Sequence, residues 1–170
     1  MKTGKLTLTA LLLSLSFAIS LLEAFVPIGA VIPIPGLKLG FANIAVMAAY
    51  LLCGKRYAFC ITVFRPLLTF VLFGNVTSFI LSLSGGVLAF LGILSTFKLY
   101  GKVFSFGGIS VISALLHSTG QIFAATVVVA DTAVIAYLPL LAAASAVTGL
   151  FNGFIMNVVL DRLRRAGRTV

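Results

Sequence analysis

Long apolar runs separated by short polar turns dominate the chain, and proline, glycine and paired basic residues fall between the runs. A helix needs about 20 mostly apolar residues to cross the hydrocarbon core of a bilayer. Six runs approach this length. The pattern therefore predicts one all-α transmembrane domain over residues 1–170, with six helices at approximately 6–25, 39–53, 57–73, 84–96, 108–130 and 136–160.

Three details of this pattern need separate treatment. The first run exceeds the roughly 7–15 apolar residues of a signal peptide, so we expect a retained helix. The second run is short for a full crossing, which suggests little tilt or a start inside a re-entrant loop. Residues 74–86 contain Gly-Asn-Val-Thr-Ser and Ser-Leu-Ser-Gly-Gly, and we expect a loop or a partly broken helix there.

Composition supports the membrane interpretation. Of the 170 residues, 61% are hydrophobic and only 9% are charged, whereas a soluble domain carries about 25% charged residues. The net charge of +9 would by itself suggest a nucleic-acid partner. A multi-pass membrane protein explains it better, because Lys and Arg collect in cytoplasmic loops. We expect the lipid bilayer, and not nucleic acid, to be the partner.

The positions of the basic residues favour six helices with both termini in the cytoplasm. This topology brings 10 of the 12 basic residues to the cytoplasmic side. They are Lys2, Lys5, Lys55, Arg56, Lys98, Lys102, Arg162, Arg164, Arg165 and Arg168. The two exceptions are Lys38, in the outer connection between the first two helices, and Arg65, within the third helix.

Arg65 is the first candidate for a functional residue. It lies about nine residues, or roughly 14 Å, from the inner end of its helix, and so near the bilayer centre. A charge at that depth is costly and marks a ligand or ion site by default. Pro66 also frees the carbonyl of Thr62 from its helical partner. Arg65 could contact a ligand directly or through Glu23, or form a structural ion pair with Glu23.

Other polar residues are expected at a similar depth. Asn43 lies about one turn into the second helix, His117 and Gln121 share one face of the fifth, and Ser84 belongs to the irregular stretch. With Lys38, Arg65 and Glu23 they predict a pocket for an anionic or carbonyl-rich small molecule. The alternatives are that Asn43 caps its helix, that His117 and Gln121 bond neighbouring helices, and that Ser84 serves only the local loop.

Small residues recur every four positions on two helices, a spacing that permits close helix approach. On the sixth helix, packing within the fold is the favoured use, whereas on the first helix the stripe could equally contact a partner membrane protein. The first-helix stripe is Ala10, Ser14 and Ala18, and the sixth-helix stripe is Ser145, Gly149 and Gly153.

Several kinds of chemistry find no support in the sequence. There is no phosphate-binding G-x-x-x-x-G-K-[ST] loop and no G-x-S-x-G nucleophile motif. The three acidic residues, Glu23, Asp131 and Asp161, are too far apart in the predicted topology to share a magnesium ion. We therefore expect no catalytic residues, no metal site and no cofactor, and hence a protein that is not an enzyme.

Five motifs together resemble the Gx transporter family, also labelled heptaprenyl diphosphate synthase component I. The similarity covers nearly the whole chain, and Ser118 stands where the family often has asparagine. The motifs are P-G-x-K-L-G-x-A-N at 35–43, Arg65, F-x-x-S-L-S-G-G at 79–86, H-x-x-G-Q at 117–121 and Y-L-P at 137–139.

That family is in turn similar to the S components of energy-coupling factor (ECF) transporters. The resemblance implies a six-helix protein that binds a micronutrient from outside and docks on a transmembrane coupling protein with two ATPases. The stripe on the first helix resembles the docking stripe of S components, and the connection with Lys38 resembles their lid. We therefore expect a substrate-binding component of an ECF-type importer in a bacterial or archaeal plasma membrane.

Two alternatives stay open. The protein could be a membrane subunit associated with heptaprenyl diphosphate or isoprenoid-quinone synthesis, as the family label suggests. It could also be an autonomous small-molecule carrier in which His117 relays protons.

Overall fold

A computed structural model describes residues 2–24 and 37–165. Their regular structure is helical, as predicted. The helices are α1 (Lys2–Ala24), α2 (Asn43–Leu52), α3 (Lys55–Phe73), α4 (Val76–Phe97), α5 (Phe106–Val129) and α6 (Leu138–Arg165), with a 3₁₀ turn at Thr132–Tyr137 before α6.

Within the described ranges, five helices are long and apolar enough to cross a membrane. These are α1, α3, α4, α5 and the continuous stretch formed by the 3₁₀ turn and α6. Helix α2 has 10 residues, or about 15 Å, which is half of a hydrocarbon core of about 30 Å. An all-α multi-pass membrane protein is therefore confirmed, while six crossings remain a prediction.

Helix α2 begins later than the sequence pattern predicts. Its first residue is Asn43 and not residue 39, because the chain before it turns through Gly40, whose φ is +87°. Left-handed backbone of this kind favours glycine. The residues that precede α2 are therefore non-helical, and they form the centre of the polar region described below.

The prediction of a loop or broken helix over 74–86 is wrong. Gly74 ends α3 in a left-handed conformation, and Asn75 caps α4, its Oδ1 accepting a hydrogen bond of 2.8 Å from the Ser78 amide. Beyond Asn75 the segment is continuous helix, since a helix satisfies every backbone group inside a membrane. Gly85 and Gly86 are interior positions of α4, where their lack of a side chain allows close packing.

Helix α2 occupies the middle of the bundle and packs on all five other helices. Helices α4, α5 and α6 pack side by side, while α1 packs on α2 and α3 at one edge. The outer face of α1 is apolar and exposed at Leu6, Leu11, Leu15 and Leu22.

Close contact between α5 and α6 depends on the small residues of α6. A Cβ at Gly149 would lie 2.7 Å from the Cα of Val111, and one at Gly153 would lie 2.5 Å from the Cα of Gly107. Either distance is too short for a real contact. The prediction that the α6 stripe packs within the fold is therefore confirmed.

Two apolar clusters divide the interior by depth. The larger one fills the end of the bundle with the N-terminus of α1 and the C-terminus of α6, and includes Met47, Ile61, Ile93, Ile109 and Met156. The smaller one fills the other end, and includes Leu37, Leu81, Ile122, Val134 and Leu141. At the end of the bundle that holds the larger cluster, the basic side chains are exposed, namely Lys5, Lys55, Arg56, Lys98, Lys102, Arg162 and Arg165. Asn43, Arg65 and His117 are buried polar residues that lie between the two clusters.

Candidate functional site

Residues 37–42, here called the strap, lead into α2 as non-helical chain inside the bundle. Leu37, Lys38, Gly40 and Ala42 are buried. Buried backbone without helical hydrogen bonds must find other partners, because an unpaired amide or carbonyl costs free energy comparable to a lost hydrogen bond. In this protein the partners are side chains from three helices and, for the carbonyls of Gly40, Phe41 and Ala42, backbone amides at the start of α2.

The strap amides donate to side chains of α5 and α1. The amide of Lys38 donates to Oε1 of Gln121 at 3.1 Å, and the amide of Phe41 donates to Oε1 of Glu23 at 2.6 Å. Two residues predicted to bind a ligand therefore hold the strap in this structure.

The strap carbonyls accept hydrogen bonds from α6 and α1. The donors are side chains that the sequence analysis did not select. Thr148 donates to the carbonyl of Leu39 at 3.1 Å and Asn152 donates to that of Gly40 at 3.2 Å. Ser16 donates to the carbonyl of Ala42 at 3.3 Å. Helical spacing could have found them, because Thr148 and Asn152 lie four residues apart, as do Ser16 and Ser20.

Asn43 and Arg65 meet where the strap enters α2. The guanidinium Nη1 of Arg65 lies 3.5 Å from Oδ1 of Asn43, a long hydrogen bond. Arg65 is about 15 Å along α3 from Lys55, and Asn43 is about 14 Å along α2 from Leu52. Helix α2 ends and helix α3 begins at the same turn, so both residues lie at one depth, halfway through the bundle.

The structure does not support two of the alternatives considered from the sequence, namely that Asn43 caps its helix and that Arg65 pairs directly with Glu23. The N-cap of α2 is Ala42, with no side-chain capping bond, so Asn43 does not cap its helix. Among the described side chains, the hydrogen bond of Arg65 goes to Asn43 and that of Glu23 to the Phe41 amide. The two residues therefore do not pin α1 to α3 by a direct hydrogen bond.

Lys38 adds a second positive charge to this region. Burial and, to a smaller extent, the positive charge of Arg65 lower the pKa of the Lys38 ammonium to about 8, although the carboxylate of Glu23 partly opposes both effects. The three ionisable groups are therefore close enough to interact. Two cations, Lys38 and Arg65, thus lie near one carboxylate, that of Glu23.

His117 and Gln121 form a pair on one face of α5. Their Nε2 atoms lie 2.7 Å apart, and both side chains are fully buried. The His117 ring packs over Gly40, where a Cβ would lie 3.2 Å from Cδ2 of the ring. The strap, α2, α3 and α5 thus bring Lys38, Asn43, Arg65, His117 and Gln121 together.

Four buried polar atoms of the described residues have no hydrogen-bond partner. They are Oγ of Ser20, Nδ2 of Asn43, Oγ of Ser82 and Nδ1 of His117. An unsatisfied buried group costs about 1–3 kcal/mol, and such groups call for an explanation such as a bound water or ligand. Of the four residues, Asn43 and His117 lie beside the strap at Gly40.

Ser84 lies outside this group. Its hydroxyl donates to the carbonyl of Gly120 at 3.2 Å, and the side chain lines an apolar groove of about 590 Å³ between α4 and α5. Its predicted contact with a ligand stays a prediction.

The small-residue stripe of α1 faces away from the polar region. Ala10, Ser14 and Ala18 are all exposed, whereas Ser16 and Ser20 are buried toward α2 and α3. Exposure agrees with a contact to lipid or to a partner, and packing of this stripe within the described fold is excluded.

An apolar groove of about 320 Å³ lies between α1 and α6. The two helices do not pack directly on each other, and Phe41 of the strap packs edge-on against Phe151 there. The groove is lined by Ile19, Leu22, Glu23, Phe41, Ile44, Phe151, Asn152 and Ile155. Glu23 and Asn152, which hold the strap, thus also border the bundle surface.

Comparison with known proteins gives one match. A family model described as heptaprenyl diphosphate synthase component I matches residues 12–159, a range that contains every polar residue of the site. No curated protein and no solved structure matches the chain.

Proposed function

This protein belongs to the heptaprenyl diphosphate synthase component I family, and from that premise we propose that it is a substrate-binding membrane protein that captures a small anionic or polar molecule. In this proposal it acts as the S component of an ECF-type importer and takes its substrate from the outer side. Its role is binding and not catalysis.

The observation that supports this proposal best is the meeting of Lys38, Arg65, Asn43 and His117 in the bundle interior. Each is more than nine-tenths buried. Burying charge is expensive unless it is compensated, and a membrane protein that keeps two cations inside with one carboxylate has capacity for an anion. The strap, which includes Lys38 and packs on Asn43 and His117, lies in the connection expected to act as a lid.

The exposed stripe of α1 supports docking to a coupling protein. Small side chains let a partner helix approach closely, and Ala10, Ser14 and Ala18 offer such a surface without any role in the described fold. A transmembrane coupling protein and two ATPases would then supply the energy for transport, since we expect no nucleotide site in this chain.

The test is to identify what the protein binds. Wild-type protein is purified in mild detergent and its small-molecule content is compared by mass spectrometry with that of Arg65→Ala and Lys38→Ala. We expect a co-purified polar or anionic compound that both variants lose. Lys98→Ala is the matched control, because Lys98 is exposed at the far end of the bundle. Retention of the compound by both site variants would refute the site.

The family description favours a second candidate, a membrane subunit that assists heptaprenyl diphosphate synthesis. This candidate predicts stable co-purification with a soluble prenyl synthase and a changed product length. Affinity purification of the tagged protein from its native cells separates the two. Recovery of a coupling protein with ATPases supports import, and recovery of a prenyl synthase supports the second candidate.

A further inference from the structure

The hydrogen bonds around Gln121 assign the proton on His117. The backbone amide of Lys38 can only donate, so the atom of Gln121 that it faces is the oxygen Oε1. The amide nitrogen Nε2 of Gln121 therefore points at Nε2 of His117. Because an amide nitrogen only donates, Nε2 of His117 must accept. The imidazole is neutral, and its single proton lies on Nδ1.

Nδ1 of His117 lies against Gly85 of α4, where a Cβ would be 2.9 Å away, whereas Cδ2 on the other edge of the ring faces Gly40 of the strap. Among the described residues, the buried donor without a partner beside the strap is Nδ2 of Asn43. A Cβ at Gly40 would lie 3.1 Å from this atom. The guanidinium of Arg65, whose one hydrogen bond here is the long contact with Asn43, provides further donors. The groups that lack a hydrogen-bond partner here are donors, so a ligand that binds at this place must supply hydrogen-bond acceptors.

The charge of the region limits how many negative charges the ligand can carry. Lys38 and Arg65 contribute two positive charges and Glu23 one negative charge, which leaves one positive charge. An uncompensated buried charge costs several kcal/mol, so an anion with a single charge neutralises the site. A phosphate monoester carries about −1.5 to −2 at pH 7 and a diphosphate carries more. Either would leave excess negative charge in the interior.

We propose that this site binds the carboxylate of a monoanionic small molecule and discriminates against phosphates and diphosphates. The carboxylate oxygens accept from Arg65 and from Nδ2 of Asn43, and Lys38 completes the charge balance. Gln121 holds the strap through the amide of Lys38. This inference rests on the proposed function, since it names the class of substrate that the same site captures.

The test compares defined anions as probes of thermal unfolding. Purified protein in detergent at pH 7 receives benzoate, hexanoate, phenyl phosphate or pyrophosphate at matched ionic strength. We expect benzoate or hexanoate to raise the unfolding temperature in a saturable way and neither phosphate compound to do so. Asn43→Leu should weaken the carboxylate effect about ten-fold, which corresponds to one hydrogen bond to a charged group. Circular dichroism checks that this variant is folded.

Glu23→Gln tests the charge count directly. It keeps an oxygen acceptor for the Phe41 amide while the net charge of the site rises by one. We expect phenyl phosphate or pyrophosphate to stabilise this variant at least as strongly as the carboxylates do. An unchanged preference would overturn the charge argument.

The outcomes separate the two proposals. Stabilisation of the wild type by pyrophosphate above the carboxylates overturns the carboxylate inference and leaves anion capture standing. If none of the four anions stabilises the wild type and it retains no anionic compound on purification, both proposals fail.

Discussion

Oε1 of Glu23 accepts a hydrogen bond of 2.6 Å from the backbone amide of Phe41. Glu23 lies near the C-terminal end of α1, and long side chains on a helix point back toward its N-terminus. The carboxylate therefore reaches toward the middle of the bundle and meets the strap. It anchors the strap and is also the one acidic group near Lys38 and Arg65.

Replacement of Glu23 should separate these two roles. Glu23→Ala removes the acceptor of the Phe41 amide and the counter-charge of two cations, so we expect a loss of at least about 1–3 kcal/mol of stability. Glu23→Gln keeps an acceptor and should lose less. Thermal unfolding in detergent measures both, with the exposed Asp161→Ala as control. Equal stability of Glu23→Ala and wild type would show that the hydrogen bond to Phe41 contributes nothing.

Anion binding should weaken at alkaline pH because of Lys38. Its pKa of about 8 means that the ammonium is charged at pH 7 and mostly neutral at pH 9.5. We expect affinity for a bound anion to fall as pH rises through about 8. Lys38→Arg should retain affinity at pH 9.5, since the guanidinium stays charged. Titration of the thermal stabilisation by the anion against pH measures this, and a flat profile would contradict it.

Stability without ligand should follow the opposite trend. Lys38 titrates at about 8 in the folded protein and at its ordinary value of 10.5 when unfolded. Between these values the unfolded chain binds more protons, so stability rises with pH. We expect the unfolding temperature of the wild type to rise relative to that of Lys38→Gln as pH increases from 8 to 10. A constant difference would count against the lowered pKa.

Gly40 should tolerate no side chain. Its φ of +87° disfavours L-residues, and a Cβ would meet Asn43 and His117 at 3.1 and 3.2 Å. Gly40→Ala should cost more than the roughly 1–3 kcal/mol of backbone strain and also lower anion affinity. Gly101→Ala is the matched control, because Gly101 has a φ of +78° with open space around it. If the two variants lose equal stability, the contacts over Gly40 are unimportant.

The two small-residue stripes should respond differently to a large side chain. Gly153→Leu introduces a clash with Gly107 of α5 and should lower the unfolding temperature strongly. Ser14→Leu lies on the exposed face of α1 and should change stability by about 0.5 kcal/mol or less.

The same Ser14→Leu variant tests docking. It should reduce recovery of a coupling protein in affinity purification while ligand content stays at the wild-type level. Undiminished recovery would remove the α1 stripe from the proposed interface.

Periodicity over long apolar runs determined the helical fold in advance, because a chain inside lipid must satisfy its backbone groups within each helix. The wrong prediction of a loop or broken helix at residues 74–86 also reflects the membrane environment. Glycine and serine signal a loop in water, but Gly85 and Gly86 are used in α4 for close approach to α5 and α3.

The sequence by itself also determined that Lys38, Arg65, Asn43, His117 and Gln121 are exceptional, since each is polar within an apolar chain. It did not determine what each one contacts. Only the tertiary structure decided that Asn43 faces Arg65, that Glu23 and Gln121 hold the strap, and that Ser16, Thr148 and Asn152 join them. These partners lie up to 112 positions apart in the chain, and hydrogen bonds over such separations depend on how the helices pack, which no local pattern records.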